Sequence, residues 1–321
     1  MVADSPLVSV IITCFNGARW IPRAVESVLA QTYPDYEIMI VDDGSGPDTI
    51  QVLSGLSTRH DRIKVRFNGE NLGIPATKNI GLKHARGDYF AFLEQDDRWK
   101  PTKLQRQISA MTEKPLAGMA FTNAEYVHDD GQVKVLPRPV NFMNGPTEAV
   151  LRRLFLWNPV PSMSSVVLTR SCVERIGDFD ERLNGADDYD YWLRVAAEVP
   201  ILYVDEPLVE YTVHQHNYSV AAVERMLTDR IEVVRSAAAR HSFLQALLRQ
   251  RLGAVYRSTA AVMLESGRRR EALHCVLHSL RSDPRAPRSY LLLALILAGK
   301  TGRFLQGKAR DALRPGSGIA D

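Results

Sequence analysis

Short, apolar, β-branched segments alternate with amphipathic ones through the first 110 or so residues, and this alternation constrains the fold more than any other feature. "PLVSVIITCF" (6–15), "YEIMIVDDGS" (36–45) and "DYFAFLE" (88–94) are nearly continuous in apolar side chains, the pattern of strands buried on both faces. "RIKVRF" (62–67) is a further strand. Between the first two lies "NGARWIPRAVESVLAQTY", whose Ile21, Ala24, Val25, Val28 and Leu29 form a helical stripe. "TIQVLSGLS", "PATKNIGLKHA" (75–85) and "PTKLQRQISAMTEK" also read as helices, the last two opened by proline. Strand alternating with helix predicts parallel βαβ units in an open α/β sheet. Such sheets bind ligands at the carboxyl ends of their strands. Thr13 to Asn16 follow the first strand, Asp42 and Asp43 the second, and Glu94 to Asp97 the fourth. Three separate segments thus bring polar groups to one edge.

Beyond residue 117 the pattern is mixed. "AGMAFTNAEYVHDDGQVKVLP" predicts a hairpin turning at Asp130-Gly131. "TEAVLRRLFLW" and "DDYDYWLRVAAEV" read as helices, "SSVVLTR" as a strand and "ILYVDEPLVEYTVH" as extended. After Ser219 the signal is helical, so a division into residues 1–219 and 220–321 is expected. "GRRREALHCVLHSLRSDPRAPRSYLLLALILAG" resembles a single tetratricopeptide-type helix pair, fewer than the three or so repeats a solenoid needs.

The chain has 321 residues, 45% hydrophobic and 24% charged, enough apolar material for a real core. Its net charge of +3 does not imply nucleic acid. The charge is unevenly placed: residues 221–321 carry about 18 Lys and Arg against about 8 Asp and Glu, roughly +10, leaving the front roughly −7. Cys14, Cys172 and Cys275 are far apart and form no CxxC pair, which argues against a zinc site or a disulfide framework and for a reducing compartment. The N-terminal sequence shows no basic n-region or cleavage site, and no run approaches the ~20 apolar residues of a membrane helix. A cytoplasmic location is expected, with room for a place at the inner face of the cytoplasmic membrane.

Five polar constellations stand out, each with a bland alternative. "FLEQDDRW" (92–99) puts Glu94, Asp96 and Asp97 at a strand end, suited to a hard divalent cation; the alternative is a cap for the helix near Pro101. In "VDDGS" (41–45) a carboxylate can accept from a base imide or a ribose hydroxyl, or simply close an Asx turn. "TKNIG" (77–81) places Lys78 near a helix N-terminus, where an anion is favoured, or as an ordinary solvated lysine. Asp187 and Asp188 begin a helix, as caps or as a general base on a rigid element. In "EYTVHQHNYS" (210–219), His214 and His216 share one side of an extended segment. Either can meet a metal or a phosphate, or sit plainly at the surface.

The order of these motifs is more specific than any one of them. "VSVIITCFNGARWIPRAVESVLAQTYPDYEIMIVDDGS", then "NLGIPATKNIGLKHARGDYFAFLEQDD.W.P.KL", then "DDYDYWLRVA" resembles glycosyltransferase family 2, nucleotide-sugar enzymes of the GT-A fold, over residues 6–217. The resemblance implies a mainly parallel open sheet flanked by helices, with the helical extension outside it. It implies nucleoside binding by Thr13, Phe15, Asn16 and Asp43, with Asp42 beside them. Lys78, before Asn79, takes the place of a frequent arginine and lacks its bidentate fork. The family's DxD motif falls on Glu94-Gln95-Asp96, so that Asp96 is the implied ligand of Mg2+ or Mn2+, Glu94 replaces the first aspartate, and Asp97 is an outer or acceptor-side carboxylate. The catalytic acid pair falls on Asp187-Asp188, with Asp188 as base, and His214 matches a histidine near metal and diphosphate. Thr212 stands where an arginine often precedes that histidine.

The implied activity is inverting transfer from a nucleoside-diphosphate sugar to a saccharide or lipid-linked saccharide, in surface polysaccharide or lipid-linked oligosaccharide synthesis. The rivals are a nucleotidyltransferase, which would usually carry a Gly-rich basic loop after its first strand where this chain has "CFNGARW", and a non-catalytic nucleotide-sugar binder or scaffold. A redox dinucleotide enzyme is disfavoured because no GxGxxG opens the first helix. The basic C-terminal helices either pack with a solvated arginine face or lie on anionic lipid as a peripheral contact.

Overall fold

A computed structural model describes residues 5–138, 141–214 and 222–298. The chain divides into two compact units, Met1–Leu151 with Pro159–His214, and Arg152–Asn158 with Gln215–Asp321. The sequence pattern did not foretell that the short segment Arg152–Asn158 groups with the C-terminal residues.

The strands are β1 (Val8–Cys14), β2 (Tyr36–Asp42), β3 (Ile63–Phe67), β4 (Tyr89–Glu94), β5 (Arg98–Trp99), β6 (Met119–His128), β7 (Val133–Val135), β8 (Val166–Thr169) and β9 (Ile201–Val213). The helices that accompany them are α1 (Ile21–Leu29), α2 (Pro47–Ser57), α3 (Ile74–His84), α4 (Lys103–Glu113), α5 (Thr147–Leu156), α6 (Arg170–Ile176) and α7 (Asp187–Glu198). Among the described residues the strands form one sheet in the order β3-β2-β1-β4-β8-β6-β9-β5, with β7 paired to β6. β3, β2, β1 and β4 are mutually parallel, as the βα alternation requires. From β8 onward the sheet is mixed: β8 runs antiparallel to β4 and β6, β9 parallel to β6, and β5 antiparallel to β9. β6 and β7 are joined through Gly131 at φ 80°, a tight turn open only to antiparallel strands.

Strand order reverses between β1 and β4, since the chain runs from β1 outward through β2 and β3 and then crosses back. Register holds the strand ends level, with Thr13 opposite both Val41 and Glu94, and Cys14 opposite Asp42. Beneath them Val8, Val10, Ile12, Ile38, Ile40, Ala91 and Leu93 pack with Ile21, Ala24, Val25 and Val28 of α1 and Leu104 and Ile108 of α4. Each such buried Val, Ile or Leu side chain contributes about 1.5–3 kcal/mol relative to exposure, which makes the sheet a rigid base for the polar groups at its edge.

The second unit contains α8 (Val223–Arg240), α9 (Gln245–Glu265), α10 (Arg269–Ser282) and α11 (Pro287–Ala298). Val223, Ala260, Met263, Ala272, Cys275, Val276, Leu292 and Ile296 form its core. Ser279 Oγ donates to the Gly253 carbonyl at 2.7 Å and meets Ser289 Oγ at 2.8 Å, knotting three helices through buried polar groups. A Cβ at Gly253 would fall 2.7 Å from that of Asp283, so only glycine permits this approach. The helix pair expected from the sequence is α10 and α11. No helix among the described residues is long and apolar enough to cross a membrane.

Candidate active site

The site is built where β1 and β4 end. After β1 the backbone turns through Asn16 at φ 49°, a left-handed conformation that asparagine tolerates through local hydrogen bonds. Its N–H donates to Ser45 Oγ at 2.8 Å, and its Oδ1 accepts from the Gly46 N–H at 3.0 Å. Gln95 joins the two strand ends: Oε1 accepts from the Phe15 N–H at 3.0 Å and Nε2 donates to the Phe15 carbonyl at 3.2 Å. A Cβ at Gly17 would lie 2.1 Å from that Gln95 oxygen. With its backbone fastened this way, the Phe15 ring stands 45% exposed, an aromatic face beside the polar edge.

Asp42 and Asp43 follow β2, and both are buried. Asp42 Oδ2 accepts from the Ser45 N–H at 3.0 Å, closing the loop three residues on, while its Oδ1 is buried with no hydrogen-bond partner. Asp43 gathers the loop before α3: Oδ1 accepts from Leu72 N–H (2.8 Å) and Asn68 Nδ2 (3.2 Å), and Oδ2 from Gly73 N–H (3.0 Å). The structure therefore places Asp43 as a loop clamp at the edge where a nucleoside was expected.

The acids after β4 divide into different roles. Asp97 is 1% exposed, with Oδ2 accepting from Ser164 Oγ at 2.6 Å and Oδ1 from the Thr212 N–H at 3.0 Å. Thr212 Oγ1 donates to the Asp96 carbonyl at 2.5 Å. Two residues further on, just past the end of β9, His214 Nε2 lies 3.0 Å from Asp96 Oδ2. The His214 ring stacks on Trp20, centroids 4.9 Å apart and planes at 9°. The Glu94 N–H donates to Ser164 Oγ at 3.0 Å, and Trp99 Nε1 to the Ser164 carbonyl at 2.8 Å. Lys103 Nζ, fully buried and without a hydrogen-bond partner, lies 3.9 Å from the Trp99 ring centroid, and burial pulls its pKa well below that of an ordinary lysine. Neither Asp96 nor Asp97 caps the following helix, whose N-cap is Thr102.

Lys78 is no solvated lysine. It is buried, donates to Asp187 Oδ2 at 2.7 Å and lies 5.4 Å from the Phe179 ring centroid. Asn79 Nδ2 donates to the Phe179 carbonyl (3.0 Å) and Glu181 Oε1 (3.1 Å), and Oδ1 accepts from the Phe179 N–H (2.9 Å). Its amide thus fastens the segment leading to α7. Asn184 helps from the other side by accepting from the Ile74 N–H at 2.9 Å. Asp188 is half-buried in the first turn of α7, with Oδ1 accepting from the Tyr189 N–H at 2.6 Å.

These groups feel one another electrostatically. Burial and then Asp96, Asp188 and Asp187 push Glu94 up to about 8, with Lys78 pulling the other way. Asp97 is raised well above the carboxylate range by burial, Glu94 and Asp96, against the hydrogen bonds from Ser164 and Thr212. Burial opposes the charge on Lys78, yet Asp187, Asp188 and Glu94 outweigh it and raise its pKa. The strand ends therefore crowd together more carboxyl groups than Lys78 can balance, and Glu94 and Asp97 respond by holding their protons more tightly. One carboxylate and one imidazole at 3.0 Å, Asp96 and His214, leave most of a small hard cation's coordination to phosphate and water. The residues fit Mg2+ or Mn2+ in that shared manner. Among the described residues no cluster of three or more His, Cys, Asp or Glu side chains is arranged to hold a metal by itself. His216 lies outside the described residues.

Sequence reasoning missed Ser164, Trp20 and Trp99. Ser164 lies in a one-turn 3-10 helix before β8, about 70 residues from the acids it binds, and no spacing announces that contact. A tryptophan two residues after "DD" was the available hint for Trp99.

The fold is that of the GT-A glycosyltransferases, a mixed α/β sheet flanked by helices. The family model for glycosyl transferase family 2 matches residues 9–177, just over half of the chain, and the chain belongs to that family. It is 29% identical over 225 residues to an uncharacterized glycosyltransferase of Rickettsia felis, a match spanning 67% of this chain and 35% of that one. It is 40% identical over 126 residues to TuaG of Bacillus subtilis, a glycosyltransferase named for teichuronic acid biosynthesis, spanning 39% of this chain and 50% of that one. Both relatives extend well beyond what this chain matches. The mannosyltransferase PcManGT from Pyrobaculum calidifontis, solved with GDP-Man and Mn2+, superposes with a TM-score of 0.62, covering 95% of this chain and 84% of that one. At 19% identity this last likeness is one of fold.

Proposed function

We propose that this protein transfers a glycosyl group, with inversion, from a nucleoside-diphosphate sugar to a hydroxyl of a saccharide or lipid-linked saccharide during surface polysaccharide or lipid-linked oligosaccharide synthesis. The observation that carries this reading is the meeting of Asp96 with His214 at the β1/β4 switch point, beside a carboxylate surplus that also feels Asp188. Family membership and the name of the teichuronic acid relative support it.

Phe15 and Asn16 offer a ring and polar backbone for the nucleoside, with Thr13, Asp42 and Asp43 alongside at the same strand ends. Asp96 and His214 would hold Mg2+ or Mn2+, which supplies positive charge to the departing diphosphate. Asp188 accepts a proton from the acceptor hydroxyl, so that its oxygen attacks the anomeric carbon from the face opposite the leaving group. Lys78 neutralises Asp187, which leaves the neighbouring Asp188 as the proton acceptor on a rigid helix start. Glu94 and Gln95 shape the floor between donor and acceptor. No covalent intermediate is needed.

Asp188→Asn should lower kcat about 10²- to 10⁴-fold while leaving nucleotide-sugar binding, read by thermal shift with and without Mn2+, nearly unchanged. Normal turnover would remove the base assignment. A protein that binds nucleotide-sugars in that panel but releases no nucleoside diphosphate would be a binder and not an enzyme.

We place the activity in the cytoplasm, at the inner membrane face. Supporting this, Tyr290, Leu291 and Leu297 are exposed on α11, and Arg281, Arg285 and Arg288 lie in or before it. Lys300, Arg303, Lys308 and Arg310 are outside the described residues. Full-length protein should float with anionic vesicles, and changing all three apolar residues to serine should abolish flotation. Equal flotation would end the membrane assignment.

A further inference from the structure

We propose that Ser164 and Asp97 are positioning residues that set the approach of Asp96 to His214, and through it the affinity for a divalent cation bound with a nucleoside diphosphate. This rests on the metal-binding reading above.

Asp96 and His214 belong to different segments, a turn after β4 and the end of β9. Their approach at 3.0 Å must therefore be imposed by whatever ties those segments together. The tie is Asp97. Its carboxylate has one oxygen on the Thr212 N–H, two residues before His214, and the other on Ser164 Oγ. Thr212 closes the ring by donating from Oγ1 to the Asp96 carbonyl. The turn and the strand are thus bonded twice at one point, immediately before the two side chains meet.

Ser164 fixes the other end. Its Oγ donates to Asp97 and accepts from the Glu94 N–H, while its carbonyl accepts from Trp99 Nε1. A single fully buried serine therefore holds the start, middle and end of the acid turn. It is carried there by the one-turn helix that leads into β8, which is itself paired to β4. Asp97 is 1% exposed, and both of its oxygens accept from protein donors. In this arrangement it acts on the site through Thr212 and Ser164, not by touching a ligand. Loss of an outer partner of a metal ligand typically weakens metal affinity 10- to 100-fold, and that is the effect assigned to these residues.

The test is a titration of Mn2+ into full-length protein with UDP and, separately, with GDP, reading free Mn2+ by its EPR signal. Ser164→Ala and Asp97→Asn should weaken Mn2+ uptake about 10- to 100-fold, whereas Ser164→Thr, which keeps the hydroxyl, should recover most of it. Thr212→Val, which keeps the backbone N–H bonded to Asp97 and removes the hydroxyl's bond to the Asp96 carbonyl, should show a smaller loss. Glu37→Gln, at a buried carboxylate in the β2 amino end, should lower the melting temperature yet bind Mn2+ like wild type. Should Ser164→Ala fail to fold, Thr212→Val and Asp97→Asn decide. Wild-type affinity in the folded variants overturns the positioning role while leaving the metal reading intact. No uptake by the wild-type protein with either nucleotide overturns the metal reading, and this inference with it.

Discussion

Two glutamates lie near opposite ends of the parallel strands and are driven in opposite directions. Glu37, near the start of β2, is held down at about 2. Burial alone would raise it, but it accepts from the Arg86 backbone and guanidinium, from Ser9 Oγ and from Lys64 Nζ, and these outweigh burial. Glu94, at the end of β4, is pushed up to about 8 by burial and three aspartates. The same side chain is saturated with donors at one end of the sheet and crowded by like charge at the other. The difference separates a carboxylate that serves the fold from one placed for something that arrives later. A positive ligand would relieve the second and do nothing for the first.

The largest expected effect tests whether the mouth of the sheet depends on buried Lys78. Lys78→Met leaves Asp187 buried without its partner, and breaking a buried pair from one side costs about 3–5 kcal/mol. For a unit of this size that is a drop of about 10 °C in melting temperature. Lys78→Met combined with Asp187→Leu should recover most of that stability, because an apolar pair replaces the ionic one. It should not recover turnover, because the first turn of α7, which carries Asp188, then loses the ion pair that anchors it to α3. A double variant as unstable as the single one would show that the pair holds more of the fold than its two charges. Unchanged turnover would break the contrast between the structural and the poised end.

Much of this was legible in the sequence. Period and composition give β1 to β4 and the helices between them, because strands buried on both faces must be apolar throughout and helices must show a stripe. The convergence of Thr13–Asn16, Asp42–Asp43 and Glu94–Asp97 follows from parallel strands alone. The partners of those acids do not follow. Lys78 read equally well as a solvated lysine, and its burial against Asp187 depends on a contact across 109 residues. Ser164 is a serine among serines in "PSMSSVVLT", and only the antiparallel pairing of β8 with β4 brings it under the acid turn. In the mixed half of the sheet the β6-β7 hairpin and the β8 and β9 segments were legible, but their order and pairing were not, since short strands separated by irregular segments carry no signal of which neighbour they join.

The smallest effect sharpens the comparison from the structural end. Glu37 has a folded pKa of about 2 against 4.5 for an unperturbed glutamate. A depressed acid contributes stability that is fully present above its unfolded pKa and is lost as pH falls through its folded one. The contribution should therefore be whole at pH 7, begin to fall near pH 4.5 and be gone by about pH 2. The carboxylate is buried, but Arg86 and Lys64 are 66% and 42% exposed, so water screens much of the attraction and about 1–2 kcal/mol is the expected size. Urea melts of wild type and Glu37→Gln at several pH values isolate it, because other carboxylates cancel in the difference. That difference should be about 1–2 kcal/mol at pH 7 and shrink toward zero on acidification. A gap independent of pH would mean that Glu37 holds its neighbours by hydrogen bonding alone, and that its charge is as idle in folding as the charge on Glu94 is costly.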